Sequence, residues 1–337
     1  MTGTVRSFAK INIGLSIGAV RADGYHALRT IYQTIALHDV IRVDIARGSG
    51  IEIQCADSRV PRDASNTCYR IAEHVLDALA AKGRVRIEIE KRLPVQGGLG
   101  AASSNAVATM IALERALKKS LAPAVRLGIA ASVGSDLPLF LVGGTSLGVA
   151  RGEEVYPLPD LPSWPVVLVF PEVGVSTPRA FANWDALQRN SHSRQAGAAR
   201  PAVPVRSQLT QAPASDTLLE VGCALSAWLC GYPNTGASAR RGSRAGNLLS
   251  DLVRTGIEND FEKVVFPEYP ELRDVKGALE RAGAVYASLS GSGSTLYGLF
   301  RSPAAAVKAA GRLRNQGLRA VATRTLTRQS YWKKIAG

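Results

Sequence analysis

Residues 85–117 constrain this chain more than any other stretch. Val85, Ile87 and Ile89 alternate with Arg86, Glu88 and Glu90, the pattern of a half-buried strand. The strand runs into Pro94-Val95-Gln96-Gly97-Gly98-Leu99-Gly100-Ala101-Ala102-Ser103-Ser104. Val107, Met110, Ile111 and Leu117 then recur at helical spacing. A strand, a loop of small residues and a helix start together make an anion site. The first helical turn carries unpaired N–H groups and partial positive charge, and small residues let a phosphate come close to the backbone. Ser103 and Ser104 add hydroxyls for phosphate oxygens or a magnesium ion. The spacing is not GxxxxGK[ST], and a charged, half-exposed strand does not suit a Rossmann unit.

Two more residues fit a phosphate-handling site. Lys10 and Asn12 share the polar face of a first strand, whose other face carries Ile11, Ile13, Leu15 and Ile17. Asp136 follows Gly134 at an abrupt turn before Pro138. Phosphorylating an alcohol needs a carboxylate to accept or orient the hydroxyl proton, and cations to offset phosphoryl charge. Asp136 and Lys10 can divide that labour. Taken singly, Asp136 reads equally as a cap or surface residue, and Lys10 as a solvated strand residue.

The rest of the chain reads as two α+β domains, 1–156 and 165–337, joined by a proline-rich linker at 157–165. A turn is expected at Ala22-Asp23-Gly24. Asn66 or Ser65 can cap a helix bearing Cys68, Ile71, Ala72, Val75 and Leu79, with Gly83 ending it. Residues 137–150 read as buried strand and turn. Residues 185–245 are rich in Ala, Ser, Arg, Gly and Pro and lack periodicity, which predicts a mobile insertion. Beyond Asn247, two amphipathic helices lead to strands at 285–289 and 295–300, a helix from Ser302-Pro303 and a strand near 318–325.

Composition narrows the classes. The 337 residues are 46% hydrophobic and 20% charged, an ordinary globular balance. No apolar run approaches the ~18–20 residues of a membrane span, and no signal peptide is evident, so the cytoplasm is the expected compartment. The net charge of +14 suits either nucleic acid or polyanionic small molecules, but the arginines are dispersed without a dense block. The four cysteines form no CxxC pair, and neither they nor the four histidines have metal-site spacing. Reduced, buried thiols and no side-chain metal site are expected.

With these motifs in order, a family resemblance emerges. Residues 94–104 resemble the second motif of the GHMP kinase superfamily. Leu289-Ser290-Gly291-Ser292-Gly293-Ser294 resembles its third, and Ala9-Lys10-Ile11-Asn12 its first. Arg21-Ala22-Asp23-Gly24-Tyr25-His26, Gly134-Ser135-Asp136-Leu137-Pro138 and Asn259-Asp260-Phe261-Glu262 are similar to the 4-diphosphocytidyl-2-C-methyl-D-erythritol kinases within that superfamily. The resemblance implies a two-domain GHMP kinase fold. Its N-terminal domain would be like the second domain of a small-subunit ribosomal protein, and its C-terminal domain ferredoxin-like. It implies transfer of phosphate from ATP, with Mg2+, to the 2-hydroxyl of the cytidyl substrate, a step of the non-mevalonate route to isoprenoids.

By the same resemblance, Lys10 and Asp136 are the catalytic pair. Pro94, Val95, Gln96, Gly97, Gly98, Leu99, Gly100, Ala101, Ala102, Ser103 and Ser104 hold the ATP phosphates, and Asn66 lies near the adenosine. Tyr25 and Phe181 sandwich the cytosine, His26 hydrogen-bonds it, and Asn12 and Thr177 are substrate-side. The expected partner is this small molecule, with no membrane and no nucleic acid; a homodimer is left open. Two alternatives remain at this point: another GHMP kinase acting on mevalonate, homoserine or a sugar, or a non-catalytic RNA-binding module. The chain departs from the family in the 185–245 insertion and in Ala101 and Ala102, where glycine is frequent. Alanine is harmless there if both residues are helical.

Overall fold

The structure is a computed structural model that describes residues 2–196 and 258–336. It opens on a long antiparallel hairpin of β1 (Thr2–Val20) and β2 (His26–Ala46). The turn between them is closed by Asp23, whose carboxylate accepts from the Tyr25 N–H at 3.1 Å. β3 (Ile51–Cys55), α1 (Thr67–Ala78) and β4 (Arg84–Glu90) form a parallel crossover, and β4 adds to β2. α2 (Ala101–Leu117), α3 (Pro123–Val133) and α4 (Leu137–Val142) follow, then β5 (Thr145–Val149) and β6 (Glu154–Pro157), which complete a six-stranded sheet.

The second layer is a four-stranded antiparallel sheet. Its strands are β7 (Pro165–Val169), β8 (Tyr286–Leu289), β9 (Leu296–Leu299) and β10 (Ala320–Arg324), in the order β10-β7-β9-β8. α5 (Thr177–Ala196), α6 (Glu262–Glu268), α7 (Pro270–Arg281) and α8 (Pro303–Asn315) accompany it, and α9 (Arg328–Ala336) ends the described chain.

Burial explains the arrangement. Val5, Phe8, Ile41 and Val43 from the hairpin pack with Ile71, Val75, Met110 and Leu113 from the helices. The β1 register shifts between Phe8 and Lys10. Beyond that irregularity Ala9, Ile11 and Ile13 join Val166, Leu168, Tyr297 and Leu299 of the second sheet, so one strand serves two cores. Each fully buried Ile or Leu contributes roughly 1.5–3 kcal/mol. The two layers are also stitched by backbone, through a bridge of Leu15 with Asn259 and one of Ile35 with Thr325.

Three local expectations change. Residues 137–142 form a short helix rather than a strand, because a six-residue apolar run carries no period to separate the two and Pro138 suits a first helical turn. α1 stops at Ala78, with Ala80 at φ 45°, before Gly83 is reached. Gly83 is small for another reason: a Cβ there would stand 2.8 Å from the Ile45 side chain. Of the segment 185–245, residues 185–196 continue α5, and the remainder lies outside the described residues. The helix α9 had no counterpart in the sequence reading. It packs on the first core through Tyr331 and Ile335.

Candidate active site

The glycine-rich loop sits between β4 and α2 as its sequence demands. Its entry is held by Asp39, a fully buried carboxylate that accepts from the Arg92 and Leu93 N–H groups, both at 2.7 Å, and pairs with Lys91 at 2.7 Å. Gln96, Gly98 and Gly100 take φ values of 59°, 72° and 66°. Ala101 and Ala102 lie inside α2, so alanine there is unstrained. No side chain caps this helix, which leaves the N–H groups of Ala101, Ala102 and Ser103 pointing into a cavity of about 340 Å³.

Residues 94–103 line that cavity together with Asn66, Val60, Pro61 and Ile89. Asn66 caps α1 by accepting from the Cys68 N–H at 2.8 Å and donates to the Pro61 carbonyl at 2.6 Å. It therefore shapes the cavity wall with both ends already engaged. Ser104 is placed differently from the open hydroxyl expected of it: it is buried and donates to the Phe8 carbonyl at 2.6 Å, pinning α2 to β1.

The third glycine-rich segment buttresses the loop. Ser290 Oγ donates to the Gly98 carbonyl at 3.0 Å, and the Thr295 N–H to the Gly97 carbonyl at 3.3 Å. Asn259 holds this segment from behind, donating to the Leu289 and Gly291 carbonyls at 2.9 and 2.7 Å. Its neighbours Asp260 and Glu262 accept from the N–H groups of Ile17 and Leu289. The Asn259–Glu262 motif is thus a clamp between β1 and the second sheet.

A second cavity, about 700 Å³, opens between the two layers on the far side of the loop. Lys10 and Asp136 stand on its floor. Lys10 is 4% exposed, and its ammonium donates to Asn12 Oδ1 at 2.6 Å and lies 3.8 Å from Asp136 Oδ2. Burial lowers the Lys10 pKa, against the opposing pull of the Asp136 charge. Asp136 makes no capping hydrogen bond to α4, although it stands at the cap position. Its carboxylate instead accepts from the Tyr32 hydroxyl at 3.2 Å. Lys10 is thus not a solvated strand residue, and Asp136, partly exposed, is not spent as a cap. Asn12 in turn donates to Thr30 Oγ1 at 2.8 Å.

The other end of this cavity is aromatic. His26 stacks on Phe181 with ring centroids 4.9 Å apart and 15° between planes, and its Nε2 lies 2.8 Å from Asp185 Oδ1. That face of Phe181 is covered by the His26 ring. Tyr25 is exposed, with the Arg151 guanidinium 5.0 Å from its ring centroid. Thr177 Oγ1 is 2.7 Å from Ser292 Oγ, at the edge nearest the loop. All five substrate-side residues expected from sequence line this one cavity.

Tyr32, Arg151 and Asp185 also line it and were not singled out from sequence. Tyr32 pairs across the hairpin with Asn12, in a register that the sequence does not show. Arg151 and Asp185 carry no local signal. Gly98 and Gly100 line both cavities, so the loop is their common wall. Among the described residues no cluster of three His, Cys, Asp or Glu side chains could hold a metal, and no helix is long and apolar enough to cross a membrane.

Comparison with known proteins identifies the family. The family profile for the GHMP kinases N terminal domain matches residues 66–144, and that for GHMP kinases C terminal matches 239–318. A 4-diphosphocytidyl-2-C-methyl-D-erythritol kinase of Solibacter usitatus is 36% identical over 299 residues, covering 88% of this chain and 81% of the relative. One of Moorella thermoacetica is 33% identical over 323 residues, covering 96% and 99%. A crystal structure of 4-(cytidine 5'-diphospho)-2C-methyl-D-erythritol kinase superposes with a TM-score of 0.68 at 29% identity, covering 96% of this chain and 98% of that one.

Proposed function

Because the chain belongs to the 4-diphosphocytidyl-2-C-methyl-D-erythritol kinase family of GHMP kinases, we propose that it transfers the γ-phosphate of ATP to the 2-hydroxyl of that cytidyl substrate. One observation carries the reading: buried Lys10 and half-buried Asp136 face each other where the loop separates two cavities, with Gly98 and Gly100 lining both. ATP on one side and an alcohol on the other meet at that wall.

The geometry supports a role for each of these residues. The free N–H groups of 101–103 and the Ser103 hydroxyl receive the triphosphate, and the apolar wall of Val60, Pro61 and Ile89 receives the adenosine. Asp136 orients the attacking hydroxyl and takes its proton. In a loose transition state the proton leaves late, so orientation comes first. Lys10 offsets charge on the transferring group. The Ser103 hydroxyl and the Asp136 carboxylate are the oxygen groups on either side of the loop that would face a magnesium ion brought by the ATP phosphates, whose charge it would neutralise.

Tyr25, His26 and Phe181 form the wall for the cytosine, and Asn12 and Thr177 contact the substrate between base and hydroxyl. A site that hydrogen-bonds cytosine rejects alcohols that lack it, which separates this reading from a mevalonate, homoserine or sugar kinase. The test is ADP release from Mg-ATP with a panel of the cytidyl substrate, mevalonate, homoserine and galactose, with Asp136→Ala as control. Turnover on the cytidyl substrate alone, abolished in the variant, supports the proposal. Turnover on another alcohol overturns the base-binding roles while leaving the kinase.

A further inference from the structure

Tyr32 is unexplained by either the phosphate loop or the base-binding wall. Its ring is 2% exposed and fills a slot cut by two glycines. A Cβ at Gly148 would stand 2.3 Å from the ring, and one at Gly152 would stand 2.5 Å from the hydroxyl. Phenylalanine would fill the same slot without needing a partner. A buried hydroxyl has to be hydrogen-bonded or it costs about 1–3 kcal/mol. The partner here is Asp136 Oδ1, at 3.2 Å. Burial, and then the Asp136 charge, push the phenol well above its ordinary range, so the hydroxyl keeps its proton and donates.

We propose that Tyr32 is a positioning residue: its hydroxyl holds Asp136 Oδ1 and thereby fixes the carboxylate plane, turning Oδ2 toward Lys10 and the substrate hydroxyl. The remaining geometry fits. Asp136 Oδ2 is the oxygen 3.8 Å from Lys10, and the Lys10 ammonium lies 5.7 Å from the Tyr32 ring centroid. The Asp136 side chain is 33% exposed and makes no cap bond, so without the phenol one of its oxygens faces only Lys10 and solvent. A carboxylate free to turn spends less time in the attacking geometry, and that loss falls on the chemical step rather than on binding.

This inference rests on the kinase reading. It is tested with the full chain by initial rates of ADP release at varied Mg-ATP and varied alcohol, alongside thermal melts. Tyr32→Phe is expected to lower kcat about ten-fold, to leave both KM values within about two-fold, and to shift Tm by no more than about 2 °C. Gly152→Ala, which crowds the same hydroxyl from the turn, is expected to show the same loss in kcat. A Tyr32→Phe enzyme with wild-type kcat, or one whose deficit lies in KM, overturns the role. So does a deficit that tracks Tm and disappears on cooling. The rates are read on whichever alcohol the wild type phosphorylates, so a wrong substrate assignment shows in the wild type and a wrong Tyr32 assignment shows only in the variants.

Discussion

Replacing Gly98 by alanine is expected to disable the enzyme without unfolding it. Gly98 has φ +72°, and a Cβ there would stand 2.0 Å from the Ser290 carbonyl oxygen and 3.0 Å from that of Gly293. The left-handed backbone alone costs about 1–2 kcal/mol for an alanine, well inside the roughly 5–15 kcal/mol that holds a protein together. Cβ contacts below 3.0 Å essentially never occur, so the two glycine-rich segments must part by about 1 Å. The Ser290-to-Gly98 hydrogen bond at 3.0 Å spans this same gap and does not survive it. A misplacement of about 1 Å costs on the order of 100-fold in rate, or about 2.7 kcal/mol. The assay is kcat/KM for Mg-ATP by coupled ADP release. Gly128→Ala is the control: nothing lies within 4 Å of its Cβ position on α3, so it should keep full rate and gain about 0.5–1 kcal/mol of stability. A Gly98→Ala enzyme within about three-fold of wild type would show that the segments separate without consequence, and would refute the argument from close approach.

Three further outcomes are expected. Lys10→Met should cost at least about 100-fold in activity, because it removes the cation beside Asp136 that offsets phosphoryl charge. The folded pKa of Lys10 lies below the reference value of 10.5, so the unfolded chain binds more protons between the two. Wild-type stability therefore rises as pH climbs through that window, and melts against pH should show the rise missing in Lys10→Met. Asn259→Ala removes three hydrogen bonds, to Leu289, Gly291 and Phe261, and should lower stability by about 3 kcal/mol in a urea titration. Burial pushes the Cys68 thiol up to about 12, so iodoacetamide at pH 8 should leave Cys68 unlabelled in the native protein and label it after denaturation, as peptide mass spectrometry would report.

What could be read beforehand was what is local or periodic. The phosphate loop is a continuous run of chain, and its neighbours β4 and α2 carry opposite periods, so its place at a strand-to-helix junction was evident. Lys10 and Asn12 follow from alternation, and the 2.6 Å bond between their side chains confirms the shared face. Tyr32 was missed because its role depends on which residue of β1 it pairs with, and that register is set by the shifts along the hairpin. Ser104 was read as an open hydroxyl because the motif does not say which side of α2 meets β1. The helix 137–142 was misread for want of length. The His26–Phe181 stack depends on the docking of α5 against the hairpin, which no spacing within either segment encodes.

The helix α9 reaches the active site without lining it. The last carbonyls of α4 lack helical partners, and two of them are taken up by α9: Tyr331 donates to the Phe140 carbonyl at 2.7 Å and Trp332 to that of Val142 at 3.1 Å. α4 is the helix that Asp136 precedes. The anchors are remote in sequence from the helix they finish, since Tyr331 and Phe140 are 191 positions apart. A protease that clips residues 328–336 is therefore expected to lower activity without touching either cavity, as initial rates before and after cleavage would show.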